Sequence, residues 1–574
     1  MNPLYQTIPA PRVPRNMFNN SHSSKFSMTA QKLYPTLLME CLPGDRHLIF
    51  DEMFARVQPL VAPVFQQYGI SQHAFFVPMR TLSKNWENFI TGGREGTYTS
   101  VMPYVTLGNL YRFVRTLWTE NQDTDGEGRD DIDPVLCDII RMYDFIGLPM
   151  HYSSATADDS GTANANFVKL WLTANSAYEQ SEVPVNLLPF LACQKIWSEY
   201  YRDQNVVDDP LELIEQQLGL STAVGLQVIS PTDPSFEDDF TSAWVNLLRM
   251  RPRAWKKDRF TSALPFTQRG PDVLLPIAGT APVVTTAAAF PDTQSHAVLG
   301  TPTSTPGGRI VQETLQGSSS PLQRVADFSD ADLTTTINDF RRAERLQRWY
   351  ENSARGGARL NENTMAHWGV KTPDATLDRA VFLGGQYQPL VISEVEQNSQ
   401  TTSESPQGNL AGKGTSYQSG RLLKHYDSEH GFLIVFTSVL QHGDYYQGIP
   451  KVFTRQDRYE YAWPELANLG EEPIFTRELY ALAPKDEVFG YTPRYSDYKS
   501  MPNTIKGDMA TSLRFWSAPR TFDEKPTLSS EFIYNAPIKY PFAVQSECAD
   551  EFICVVNYTI KSSRLLPFYG VPTI

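Results

Sequence analysis

The chain has 574 residues, of which 41% are hydrophobic and 12% aromatic, and a formal net charge of −14. That composition supplies a large apolar core, while the net charge argues against a surface that binds nucleic acid all over. No run approaches the ~18 apolar residues of a spanning helix, and MNPLYQTIPAPRVPRN at the start lacks the apolar core of a secretory signal, so neither membrane insertion nor secretion is expected.

Residues 1–40 are rich in Pro, Asn and Ser without a sustained period, which predicts an extended N-terminal arm. Up to residue 39 the arm carries Arg12, Arg15, Lys25 and Lys32, no acidic residue, and the aromatic Tyr5, Phe18 and Phe26. Lysine and arginine displace counterions from phosphates without reading sequence, and aromatic rings stack on exposed bases. The arm is therefore a candidate nucleic-acid contact; the alternative is an arm that clamps a neighbouring subunit. Period-two alternation from Tyr68 to Val77 predicts a strand. Ser83 is placed to cap a short helix carrying Trp86, Phe89 and Ile90, stopped by Gly92-Gly93.

Residues 121–240 hold 22 acids against five bases. Such a block either faces away from nucleic acid or decorates solvated loops. Within it, Asp123, Asp125, Glu127 and Gly128 copy the first half of a calcium loop, but the twelfth position is Pro134, so the EF-hand pattern fails. A weak structural Ca²⁺ site stays open there beside a plain acidic turn; no other cofactor is expected. Leu191 to Tyr201 has helical spacing, with Ala192, Ile196, Trp197 and Tyr200 in an apolar stripe and Leu191, Lys195, Ser198 and Arg202 on another side. Residues 249–259 then place six bases against one acid. Arg251, Arg253, Lys256 and Lys257 around Trp255 form the second DNA-binding candidate.

Small residues, Pro, Thr and Ser dominate 271–330, predicting a variable surface loop. Thr336 and Asp339 open a helix carrying Phe340, Ala343, Leu346, Tyr350 and Ala354 on one face, ended by Gly356-Gly357. Residues 395–420 are predicted to form a polar loop; GNLAGKGT within it has the wrong spacing and lacks the hydroxyl of a phosphate loop. The apolar run Phe432–Leu440 predicts a strand buried on both faces, and alternation over Phe552–Ile560 predicts another near the C-terminus. Five scattered cysteines with no CxxC pair suit a reducing cytoplasm better than a disulfide framework. No catalytic signature is present, so the chain is not expected to be an enzyme.

The string LPFLACQKIWSEYYRDQNV from Leu188 to Val206 resembles the microvirus major capsid proteins. Leu42-Pro43-Gly44-Asp45, Ala74-Phe75-Phe76-Val77-Pro78, Trp86 to Gly93, Leu346-Gln347-Arg348-Trp349, His367-Trp368-Gly369-Val370, Tyr446-Gln447-Gly448-Ile449-Pro450 and Pro567-Phe568-Tyr569-Gly570-Val571-Pro572 continue in the family order, nearer the gokushovirus branch. The resemblance implies a mainly β fold, an eight-stranded jelly-roll sandwich with long helical and loop insertions, as one domain over 41–574. It also implies a major capsid protein in a T=1 icosahedral virion of a bacteriophage, a homo-oligomer assembled in the host cytoplasm around circular single-stranded DNA. Small DNA-binding proteins, scaffolding proteins and a bacterial receptor are the implied partners. The alternatives are a capsid-associated spike or decoration protein, and a carbohydrate-binding or carbohydrate-hydrolysing jelly roll.

Overall fold

The computed structural model describes residues 14–99, 101–120, 134–148, 171–172, 175–220, 238–273, 283–284, 325–326, 337–396, 410–534, 538–544 and 548–569. The chain divides into two units, Met1–Thr267 with Arg359–Ile574, and Gln268–Ala358.

Ten strands frame the larger unit: β1 (Asn16–Asn19), β2 (His22–Met28), β3 (Tyr34–Cys41), β4 (Arg46–Val57), β5 (Tyr68–Pro78), β6 (Val381–Pro389), β7 (Val391–Glu396), β8 (Leu410–Tyr426), β9 (Gly431–Gln441) and β10 (Phe552–Arg564). One sheet runs β1-β10-β4-β8-β7, with β2 also pairing β10; the other runs β6-β5-β9-β3. The pairing is nested. β2 pairs β10, β3 pairs β9, β4 pairs β8 and β5 pairs β6, all antiparallel. The remaining pairings, β10 with β4, β9 with β5, β1 with β10 and β7 with β8, complete the two sheets. A long hairpin wrapped in this way is a jelly roll, two Greek keys in one sandwich.

The predicted strands at Tyr68–Val77, Phe432–Leu440 and Phe552–Ile560 are all present. β10 keeps its alternation, with Phe552, Cys554, Val556, Tyr558 and Ile560 buried and Ile553 exposed. β5 is buried on both faces, because sheet packing covers one side and Tyr200 and Tyr201 cover the other.

Two stretches assigned from composition to arm and loop are built into the sheets. Of the stretch 1–40, residues 14–40 are described, and from Asn16 onward they supply β1, β2 and most of β3. The polar stretch 395–420 includes most of β8, so its Leu410–Gly420 part is strand and not loop. Its glycines misled because they answer to close packing: a Cβ on Gly412 would lie 2.7 Å from the Ala62 carbonyl oxygen, and one on Gly414 2.4 Å from the Val57 side chain. Gly408 of the phosphate-loop look-alike lies outside the described residues, as does most of 271–330.

Between β5 and β6 the chain forms α1 (Trp86–Thr91), α2 (Leu107–Glu120), α3 (Pro134–Ile146), α4 (Leu188–Ile196), α5 (Pro210–Leu218) and α6 (Asp238–Leu248). Gly92 in the left-handed region ends α1 as expected, but Asn85 and not Ser83 occupies its cap position. Asp209 caps α5, accepting from the Leu211 N–H at 3.1 Å, and Pro210 stands in its first turn. The predicted helix Leu191–Tyr201 is α4 followed by a π-turn over Trp197–Tyr201. Its supposed polar side is covered as well: Leu191 and Ser198 are buried, and the Ser198 hydroxyl donates to Asp209 at 2.7 Å. A disulfide joins Cys137 to Cys548, 411 positions apart. The expectation of an unlinked set of cysteines therefore fails at this pair, because spacing along the chain says nothing about partners so distant.

In the second unit, α7 (Ile337–Gly356) matches the predicted helix in extent. Its apolar face is not a core face: Phe340 and Leu346 are exposed, and only Ser353 and Ala354 are buried. Val283–Val284 pairs Val325–Ala326 near the two ends of the small-residue stretch.

Asp51 of β4 is fully buried and accepts from Gln386 of β6 at 3.1 Å, linking the two sheets. Burial pushes its carboxyl up to about 6 from 3.8. The folded state therefore takes up this proton first, so stability rises as pH falls from about 6 to about 4, and the ionised carboxylate is a cost above that window. Asp51→Asn keeps the acceptor oxygen and removes the charge. It is expected to stabilise the subunit by about 2 kcal/mol at pH 7 after allowance for screening, with the gain gone below about pH 4, as read by urea unfolding at both pH values.

Candidate functional site

The basic residues singled out from sequence divide into anchors and surface groups. Arg251 is buried. Its guanidinium donates to Gln194 Oε1, to Asn246 Oδ1 at 3.1 Å and to the Asn246 carbonyl at 2.6 Å, and it lies 4.7 Å from the Trp197 ring. Gln194 in turn donates to the Leu247 and Arg249 carbonyls, at 2.9 and 3.1 Å. Arg253 donates to the hydroxyls of Ser71 on β5 and Ser438 on β9, and sits 5.5 Å from the Tyr201 ring. Burial pulls the pKa of both arginines down. Trp255 is buried too, at 2% exposure, so its ring is closed to a nucleobase. These groups fasten the segment after α6 to α4 and to the second sheet.

Lys32 pairs with Asp138 of α3. Arg15 is exposed and donates to the Gly44 carbonyl, and to the Ser563 carbonyl at 3.1 Å. Lys25 is exposed on β2. Lys256 is exposed with its Nζ 3.2 Å from His442 Nε2, and Lys257 reaches Asp203 at 3.2 Å. Phe18 stacks on Phe568 at 5.8 Å, and Phe26 packs edge-on against Phe145 at 5.6 Å. Arg12, Tyr5 and the calcium candidates Asp123, Asp125 and Glu127 lie outside the described residues. The structure thus gathers Arg251 and Arg253 with Trp255 inside the fold and leaves Arg15, Lys25, Lys256 and Lys257 on the surface. The arm meets the 249–259 run at Lys32, which bridges Pro252, with the Leu33 N–H donating to the Arg251 carbonyl at 3.0 Å and the Arg253 N–H to the Gln31 carbonyl at 2.7 Å.

A second feature was not picked out from sequence. Between Pro450 and Trp463, the side chains of Val452, Phe453, Tyr459, Tyr461 and Trp463 are exposed, Phe453 to 78%. The segment is nonetheless held in place. Arg455 pairs with Asp497 and lies 4.4 Å from the Tyr498 ring; Trp463 donates through Nε1 to the Arg458 carbonyl at 2.9 Å; the Trp463 N–H donates to the Tyr495 hydroxyl at 3.2 Å. The insertion that carries it, together with Phe260, has a separate small core of Phe260, Tyr445, Ile474, Leu479, Phe489 and Phe532. Well before it in the chain, α8 (Leu360–Trp368) exposes Leu360, Met365 and Trp368. Ordered, exposed aromatic segments are what a protein–protein interface needs, since little entropy remains to be lost on docking. The signal available in the sequence was the aromatic density of Tyr459, Tyr461 and Trp463.

A jelly-roll frame that carries long insertions and displays ordered aromatic loops has the build of a shell-forming subunit. The chain belongs to the capsid protein (F protein) family, whose model matches residues 6–108 and 173–574. It is 30% identical to capsid protein VP1 of Chlamydia phage 1, over 99% of this chain and 97% of that one. It is 28% identical to capsid protein VP1 of Bdellovibrio phage phiMH2K, over 99% and 97%. With capsid protein VP1 of Spiroplasma virus 4 it shares 32% identity over 61% of this chain and 66% of that one. The protein is a microvirus structural major capsid protein, and the virion is its location. Residues 109–172, which include the calcium candidates, fall outside the family match.

If Arg251 is an anchor, Arg251→Met leaves the Gln194 and Asn246 oxygens unpaired in the interior and costs about 2–4 kcal/mol of subunit stability. Lys256→Gln with Lys257→Gln changes stability by no more than about 0.5 kcal/mol. Denaturant unfolding of the subunit compares the two directly.

Proposed function

We propose that copies of this chain close into a T=1 icosahedral shell around circular single-stranded DNA, with no chemical reaction of their own. The observation that carries the assembly reading is the preordered aromatic segment Pro450–Trp463, exposed in the single chain and held by the Arg455–Asp497 pair. Contacts between symmetry copies bury such rings, and closed rotations turn modest contacts into a stable particle. Near-full-length similarity to capsid protein VP1 of two phages supports the same reading.

Contact with DNA is assigned to the bases left on the surface, Arg15, Lys25, Lys256 and Lys257, together with Arg12. Arg251 and Arg253 act from inside the fold, and Lys32 through its pair with Asp138. The proposal extends to assembly in the bacterial cytoplasm, with scaffolding and small DNA-binding proteins and a host receptor as partners.

Two measurements test this. Negative-stain microscopy of the purified chain is expected to show closed particles, and Phe453→Ser with Trp463→Ser is expected to lower their yield at least tenfold while the unfolding curve of the subunit stays in place, as expected when about 2 kcal/mol or more of contact energy is lost per interface. Closed particles formed as readily by the double variant would remove this segment from the interface. Arg15→Gln, Lys25→Gln, Lys256→Gln and Lys257→Gln together are expected to reduce encapsidated DNA with shells still formed; unchanged DNA content would refute the assignment.

A further inference from the structure

At one end of the sandwich, two turns bring metal-ligand chemistry into the interior. β3 ends at Cys41, and the turn Leu42–Asp45 leads into β4, where His47 is the second residue. β8 ends at Tyr426, and Asp427 begins the turn into β9. The two turns are knitted by backbone hydrogen bonds, Gly44 N–H to the Asp427 carbonyl at 2.7 Å and Asp427 N–H to the Asp45 carbonyl at 3.0 Å. In register, His47 faces His425 across β4 and β8, and Cys41 faces Gly431 across β3 and β9, so both sheets contribute.

Cys41, Asp45, His47 and Asp427 are all buried, none exposed beyond 1%. One ligand atom each from Cys41, His47 and Asp427 falls within 4.8 Å of the others. His47 Nε2 lies 3.0 Å from Asp427 Oδ2 and 3.6 Å from Asp45 Oδ2, yet it makes no aligned hydrogen bond. Neither Asp427 oxygen nor Asp45 Oδ1 receives an aligned one, although Asp427 Oδ1 also lies 3.2 Å from His425 Nε2 on β8. Buried polar atoms left in this state are costly. On the far side of the ring, Nδ1 of His47 is engaged by the Ser562 hydroxyl at 2.9 Å, which fixes the ring and leaves Nε2 facing the cluster. A partner on the second ring nitrogen is the usual support of a metal-bound histidine.

We propose that Cys41, His47 and Asp427 bind a structural Zn²⁺ that ties the β3–β4 turn to the β8–β9 turn. Thiolate, imidazole and carboxylate together select zinc over calcium or magnesium, which take oxygen ligands only. Four tetrahedral ligands at about 2.0–2.3 Å from zinc stand roughly 3.3–3.8 Å apart, so a cluster confined within 4.8 Å closes on the ion with small side-chain shifts. Asp45, with Oδ2 3.6 Å from His47 Nε2, stands beside the three ligands, and a water molecule would complete the set. Charge also balances: Asp45, Asp427 and the Cys41 thiolate bring three negative charges, against Zn²⁺ and the Arg564 guanidinium, whose Nε is 3.5 Å from Asp45. Binding releases the thiol proton to solvent.

The test uses the full chain, purified as particles. Elemental analysis after incubation with Zn²⁺ and removal of excess is expected to find about one zinc per chain. Exchange with Co²⁺ is expected to give thiolate-to-cobalt charge-transfer absorption. Cys41→Ser is expected to abolish that absorption and bring zinc to background, while Cys193→Ser, at another buried thiol, keeps both. His47→Gln and Asp427→Asn serve as the second pair of variants if Cys41→Ser does not fold. Zinc well below one per chain and no cobalt–thiolate absorption in the unmutated protein would overturn the site, as would full zinc binding by folded Cys41→Ser. Either result leaves the capsid reading untouched, because shell formation is scored separately by microscopy.

Discussion

The fold depends on one pairing between opposite ends of the chain. β10 lies between β4 on one side and β1 and β2 on the other, so strands near the C-terminus and the N-terminus complete one sheet together. Nothing local favours this contact; it repays its loop-closure cost only when both sheets are in place, the mark of slow, non-local β topologies. The same geometry explains the tolerance for insertions. β5 and β6 are neighbours in the sheet although Met79 to Ala380 lies between them, and β9 and β10 are separated by His442 to Glu551. Loop-closure entropy grows slowly with length, so long excursions between paired strands add little penalty once they bury surface of their own. The helical insertion does so: Leu110, Phe113, Ile139, Phe190, Ile196 and Trp244 belong to one continuous core with the sandwich.

Sequence patterns disclosed the elements whose partners are local or whose faces are uniform. β9 is legible because it is apolar on both faces, and β10 because one face is apolar and the other is not. α4 and α7 are legible from helical spacing, but not their environments. Periodicity shows which side chains share a face; it does not show whether the other faces meet solvent, and in α4 and its π-turn they meet α6 and Asp209. β1, β2 and the first half of β8 were illegible for a different reason. Their residues are small and polar because they lie at sheet margins or pack against backbone, as Gly412 does against Ala62, and composition alone cannot separate such a strand from a loop. The disulfide and the Cys41–His47–Asp427 cluster are tertiary facts, with members hundreds of positions apart.

Charge was the least reliable guide. The run Arg249 to Arg259 has the composition of a nucleic-acid patch, yet Arg251, Arg253 and Arg259 are held inside by Gln194 and Asn246, by Ser71 and Ser438, and by Glu478 and Ser496. Arginine suits this work because its fork satisfies several carbonyls and hydroxyls at once while its flat face packs on an aromatic ring. A sequence rich in arginine and aromatics is therefore ambiguous between a surface that stacks on bases and an interior that locks insertions to a frame. Burial resolves it here in favour of the interior for Arg251 and Arg259, while the half-buried Arg253 is engaged by Ser71 and Ser438.

The same device shapes the surface available for assembly. The insertion between β9 and β10 has few buried apolar residues, so apolar burial alone would hold it weakly. Arg520 compensates: its guanidinium lies 4.1 Å from the Phe532 ring and 4.8 Å from that of Trp255, and it donates to the Tyr445 hydroxyl at 3.2 Å. Arg259 adds its pair with Glu478. Cation–π and charge-assisted contacts are directional, whereas apolar packing is not. A small core built from them fixes orientation as well as position, and the segment bearing Phe453, Tyr461 and Trp463 is tied down in the same way, by the Arg455–Asp497 pair and the Arg455–Tyr498 contact. Rigid placement of those rings lowers the ordering cost of each contact between copies, and in a closed shell that saving recurs at every equivalent interface.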